Sequence, residues 1–340
     1  MLNRTTETNK EEFQDVAPLV TSNFYVDFDS VDCEAEAIRR CQRLSKLLAC
    51  GGFRLTKWLS PNRGVLSSID SGERMTPMLD LDLDRLPTEK TLGVHWDCDQ
   101  DTLRFKIRSS SNVDTKRKIL AEVASIFDPL GLLAPVVLSA KIILQRIWRE
   151  ELGWDDALPE KILEDWKAWS SHLTAVENLI LPRCLLGTVA NPTSRTLHVF
   201  TDASEAGFGA VVYLRVRNED DVDVNFVIAK NPCGPHQVSV HPAPGATRSR
   251  CWCAFGNKHQ QRTWTSSVNN NVLEGFSHCS PVVNLKRFRF QTFVANRISE
   301  ILEKSTCDQW RHVPGVLNPA DDCSRGISAQ NLTHDHPWFN

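Results

Sequence analysis

The sequence of 340 residues has no excess of positive charge. Its formal net charge is -3, so no global field draws it to nucleic acid, and any such binding must come from a local patch. It has no apolar run long enough to span a bilayer, because Pro135 and Lys141 interrupt the best candidate, LGLLAPVVLSAKIIL. The opening stretch, MLNRTTETNKEEFQD, is polar and excludes a signal peptide. The 11 cysteines are odd in number, and none stand at zinc-knuckle spacing; Cys251 and Cys253 flank Trp252 too closely for finger ligation. Reduced thiols in an intracellular protein, cytoplasmic or nuclear, with no membrane partner, are the expectation. One further absence is local: residues 224–273 contain no acid, although the chain has 42.

What is present suffices for a core. With 41% hydrophobic residues the chain should form two or three domains. The stretch LHVFTDASEAGFGAVVYL, residues 197–214, alternates apolar positions up to Asp202, turns through Glu205, Ala206 and Gly207, and continues as a second β-rich run. An acid at that strand end either caps a turn or is kept for a cation, because a buried carboxylate is costly without one or the other. Near the other end, QWRHVPGVLNPADDCSRGIS places Asp321 after Asn318, Pro319 and Ala320, a pattern that by itself reads as a helix-capping turn.

Together and in this order, the two stretches resemble the first hairpin and the closing motif of the ribonuclease H domain of retroelement polyproteins, in particular those of BEL/Pao long-terminal-repeat retrotransposons. The resemblance extends over residues 25–328, with one damaged interval. It implies that Asp202 and Asp321 are the first and fourth of four carboxylates that hold two Mg²⁺ ions for in-line phosphodiester hydrolysis, with His312 on the approach. At the second carboxylate the family reads close to Ile-Pro-Arg-Leu-Glu-Leu. Ordinary codons for that string, read one base out of frame, give the His-Pro-Ala-Pro-Gly-Ala found at residues 241–246. At the third, Ser266 follows Trp264 and Thr265 where the family has Asp. A frameshift scar is therefore inferred over 224–284, with Mg²⁺ held weakly or not at all and the interval expected to be poorly ordered.

The preceding regions also resemble the family. NFYVDFDSVD, residues 23–32, resembles the reverse-transcriptase metal hairpin: Asp27 is kept, but about two residues are lost before Asp29. Polymerase activity from this chain is not expected. Acids at Glu34 and Glu36 and apolar residues at 38, 41, 44 and 48 predict a helix with Asp32 as N-cap and a stop at Gly51 and Gly52. Residues 91–107 predict two strands, and 119–127, 135–150 and 162–173 predict three helices. The string IFDPLGLLAPVVLSAKIILQRIW within them is among the family's well-recognised stretches and implies a helical thumb and connection. Lys116, Arg117, Lys118, Lys141, Arg146 and Arg149 there either grip template-primer phosphates or only solubilise helices. Asp70, Ser71 and Gly72 superficially match an aspartic-peptidase triplet, but Ser67, Ser68, Glu73 and Arg74 replace the apolar flanks that triplet needs; the peptidase label attached to this part of the family (Peptidase A17) would rest on it.

The expected fold is mixed α+β and α/β: a polar tail over 1–22, a partial palm over 23–108, the helical thumb and connection over 109–190, a degenerate ribonuclease H-like domain over 196–328 and a frayed tail over 329–340. The expected function is that of an inactive fragment of a Pol polyprotein, with RNA–DNA hybrid or template-primer duplex, and other parts of that polyprotein, as the expected partners. A non-catalytic nucleic-acid-binding remnant, an active Mg²⁺ nuclease and an aspartic peptidase are the alternatives.

Overall fold

A computed structural model describes residues 1–23, 33–76, 81, 82, 84–91, 94–108, 113–185, 187, 189, 192–204, 206–231, 271–275 and 310–340. Asp27 and most of the 224–284 interval, Ser266 included, lie outside the described residues. The chain divides into two compact units, Met1–Leu103 and Arg104–Asn340. Among the described residues no helix is long and apolar enough to cross a membrane.

In the first unit the segment expected to be a polar tail folds. Helices α1 (Leu2–Thr8) and α2 (Ala17–Asn23) pack with α3 (Glu34–Ala49), burying Phe13, Val16, Ala17 and Val20 against Leu44, Leu47 and Leu48. Those apolar positions outweigh the polar composition between them. Arg43 and Arg39 both reach Asp15 at 2.7 Å, and the Arg43 hydrogen bond holds the Asp15 carboxyl below its ordinary value. The N-cap of α3 is Cys33, one residue later than expected. Helix α4 (Arg63–Ser67) is capped by Asn62, whose side chain accepts the Val65 N–H at 3.0 Å. Asp70 accepts the Gly72 N–H at 2.8 Å and caps a short 3-10 turn, Ser71–Glu73. Strands β1 (Thr88–Thr91) and β2 (Val94–Asp97) pair antiparallel, and β3 (Thr102–Arg104) follows the polar turn.

In the second unit α5 (Lys116–Ser125), α6 (Ala134–Arg149) and α7 (Glu160–Leu173) precede a short strand β4 (Ile180–Pro182). Thr115 caps α5, accepting the Lys118 N–H at 3.4 Å. Apolar spacing along α6 buries Val136, Ala140, Ile143 and Ile147, and α7 contributes Ile162, Trp166 and Trp169. A five-stranded sheet follows, made of β5 (Ser194–Ala203), β6 (Phe208–Arg217), β7 (Val222–Lys230), β8 (Asn271–Gly275) and β9 (Trp310–His312), in the order β7-β6-β5-β8-β9. The first three strands are antiparallel neighbours, while β8 runs parallel to β5 and β9 parallel to β8. Helix α8 (Ala320–Arg325) packs on β5, β6 and α6. This is the mixed sheet with helices of a ribonuclease H-like α+β fold.

Two expectations are corrected here. Of the interval expected to be poorly ordered, residues 271–275 form β8 against the central strand, while 224–230 belong to β7, a third strand that the sequence of 222–229 itself suggests. The C-terminus is not frayed. Trp338 is fully buried, its indole N–H donates to the Leu132 carbonyl at 2.9 Å, and the Tyr213 hydroxyl donates to the Trp338 carbonyl at 2.8 Å. Phe226 packs edge-on against Tyr213 and tilted against Trp338, so apolar area and two satisfied polar groups hold the segment to the sheet.

Candidate nuclease site at the end of the central strand

Period-2 alternation along β5 brings Asp202 to the last turn of the central strand, opposite Gly209 of β6. It is 1% exposed. The turn after it is closed by the Ser204 N–H donating to the Gly207 carbonyl at 2.8 Å, with the Ser204 hydroxyl accepting the Ala206 N–H at 3.1 Å. Helix α8 can approach this strand end because Gly209 has no side chain: a Cβ there would stand 2.6 Å from that of Cys323.

Three hydrogen bonds fasten the strand end to the α8 segment. The Asn318 amide donates to the Thr201 carbonyl at 3.1 Å, the Ser324 hydroxyl donates to the Asp202 carboxylate, and the Ser204 hydroxyl donates to the Ser324 carbonyl at 2.6 Å. The Asn318 side chain also accepts the N–H of Ala320, the first residue of α8, at 3.1 Å. Asp321 lies in the first turn of α8, and the Arg325 guanidinium stands 3.0 Å from its carboxylate, one turn along. Burial pushes the neighbouring Asp322 carboxyl up; His336 opposes that and the charge of Asp321 adds to it. The strand end and the segment holding Asp321 thus come together. His312 ends β9, two strands from β5.

Sequence reasoning missed Ser324 and Asn318 as partners of the strand end, and it missed Glu274. Residues 271–275 run parallel to β5, and their backbone sets Glu274 in register with Phe200 on one side and Arg311 on the other. The available signal was that Glu274 is the first acid after the acid-free interval, in the short β-prone run NVLEG.

The six candidate phosphate ligands lie on α5 and α6, and most already have partners. Lys116 is 5% exposed; its ammonium donates to the Leu152 carbonyl at 2.7 Å and sits 3.9 Å from the Trp148 ring. Arg117 makes two 2.8 Å bonds to Asp155, Lys118 bonds Asp114 at 2.7 Å, and Lys141 bonds the Asn231 side chain at 2.8 Å. Arg146 pairs with Asp165, and Arg149 is exposed in the last turn of α6.

A two-ion Mg²⁺ centre needs several carboxylate oxygens placed around ions about 4 Å apart. Here an Asp202 oxygen accepts the Ser324 hydroxyl and Asp321 faces Arg325. Among the described residues no group of three or more His, Cys, Asp or Glu side chains is placed to hold a metal ion. Of the four expected carboxylates, the described residues supply Asp202 and Asp321.

Comparison with known families decides the kind of fold this is. Residues 115–242 match the model of the Pao retrotransposon-like RNaseH-like domain. The chain carries a retrotransposon ribonuclease H-like region. The match starts at the cap of α5 and takes in α5, α6 and α7 as well as β5, β6 and β7, so the helices expected to form a thumb fall inside the ribonuclease H-like match. Asp202 lies within the matched residues, and Asp321 lies beyond them. No curated protein matches the chain.

Proposed function

We propose that this chain is part of a BEL/Pao retrotransposon Pol polyprotein, with the remnant of a reverse-transcriptase palm ahead of its ribonuclease H-like region, and that by itself it does not cleave RNA–DNA hybrid. The sheet order, with Asp202 ending the central strand and the Asp321 helix docked beside it, supports descent from a hybrid nuclease. Tyr25, Val26 and Asp27 and the β2–β3 hairpin support the palm remnant.

One observation supports inactivity: an Asp202 oxygen is held by the Ser324 hydroxyl, and the Arg325 guanidinium stands 3.0 Å from the Asp321 carboxylate on α8. Groups that act as a unit lose nearly all of their joint effect when some are removed. The ribonuclease H-like fold suggests nucleic acid as the partner, and RNA–DNA hybrid is the class proposed. The test is cleavage of the RNA strand of a hybrid by the full chain, in Mg²⁺ and in Mn²⁺, beside an Asp202→Asn variant. Equal, background-level cleavage is expected; robust cleavage that disappears in the variant would overturn the reading.

A further inference from the structure

The residue that ought to be a metal ligand has another task in this chain. Asp202 is almost wholly buried at the end of β5, where a carboxylate is costly unless donors meet it. One of its two oxygens accepts the Ser324 hydroxyl, one turn beyond Asp321 on α8. The same serine offers its carbonyl to the Ser204 hydroxyl at 2.6 Å, and its own hydroxyl is 3.1 Å from the Asp321 carbonyl. Ser324 is itself fully buried, so these bonds are shielded from water. Asn318 adds the bond to the Thr201 carbonyl at the other end of the helix. Three residues of the strand end, Thr201, Asp202 and Ser204, thus hold both ends of a helix too short to stand alone.

We propose that Asp202 serves here as the anchor of α8, with Ser324 as its positioning partner, and that this clamp takes the place of metal coordination at the strand end. Hydroxyl-to-carboxylate bonds are among the stronger hydrogen bonds, and a buried one couples the two residues energetically. The clamp uses the site behind the proposed function, but it is read from unfolding rather than from cleavage, so either can fail without the other.

The experiment is thermal unfolding of the full chain, with and without millimolar Mg²⁺, for the native protein, Ser324→Ala, Asp202→Asn, Asp202→Ala and the double Ala variant. Mg²⁺ should leave the native Tm unchanged. Ser324→Ala should lower Tm by about 4 °C, the scale of one lost buried hydrogen bond in a unit of this size. Asp202→Asn should stay close to native, because its amide oxygen still accepts the hydroxyl. The double Ala variant should lose little more than Asp202→Ala alone, the mark of a coupled pair. A native Tm that rises in Mg²⁺, with the rise abolished by Asp202→Asn, would overturn the proposal, as would a Ser324→Ala Tm equal to native.

Discussion

Two charged side chains of the helical segment show how burial decides a residue's role. Asp128 accepts the Leu132 and Leu133 N–H groups at 2.9 and 2.7 Å, bracing the turn that leads into α6. Burial pushes its carboxyl from 3.8 up to about 6, against those donors and the attraction of Lys141. A carboxyl raised in this way binds its proton more tightly in the folded than in the unfolded chain. Its contribution is fully present below the unfolded value and is lost as pH rises through about 6. The shift corresponds to about 3 kcal/mol at most. Relative to Asp128→Asn, whose profile lacks this titration, the native Tm should fall between about pH 4 and pH 7; parallel profiles would show that the buried carboxyl does not titrate there. Lys116 is the converse case, a cation held by a carbonyl and two indole rings. Lys116→Met should cost about 2 kcal/mol in urea unfolding, from the lost bond and cation–π attraction, and leave duplex affinity unchanged. Unchanged stability with weakened duplex binding would make the ammonium a phosphate ligand instead.

Among the elements, α8 and the C-terminal segment depend on close fit. Gly209→Ala would drive a methyl group against Cys323 and should destabilise the protein by about 1–3 kcal/mol, measured by its Tm. Trp338→Ala should cost about 3–5 kcal/mol, because it empties a fully buried site and frees the Leu132 carbonyl; a neutral result would return the segment to the frayed tail that its composition suggests. These elements also show how far the sequence could be read. The β5 and β6 hairpin was legible because alternation is local, and the α6 and α7 helices because their apolar spacing is. The burial of Trp338 was not, since its partners Tyr213 and Leu132 are 125 and 206 residues away. The folding of the first helices was legible in principle. Phe13, Val16, Ala17 and Val20 stand at positions one helical face would bury, but Lys10, Glu11 and Glu12 before them give the segment a polar composition. Asp202 could be placed from the strand pattern and the closing motif together. Its partner Ser324 could not, because which hydroxyl reaches the carboxylate depends on how α8 is rotated on the sheet.

For the whole molecule the question is where positive charge remains for a phosphate backbone. The net charge of -3 supplies no general attraction, and Lys116, Arg117, Lys118, Lys141 and Arg146 are engaged by the protein's own groups. The acid-free interval 224–273 is different. Its sequence carries Arg248, Arg250, Lys258 and Arg262 and no acidic residue. If hybrid is bound, the counterions it releases should therefore trace to those cations rather than to α5 and α6. Each neutralised phosphate contributes about 0.9 to the slope of log affinity against log salt. Replacing Arg248, Arg250, Lys258 and Arg262 together by Gln should flatten that slope by up to about 3.6, whereas replacing Arg117 and Lys118 by Gln should leave it nearly unchanged. Binding measured across a salt series in the absence of Mg²⁺ separates the two, because a slope that collapses on the α5 replacements would place the phosphate contacts on the helices and require their ion pairs to open on binding.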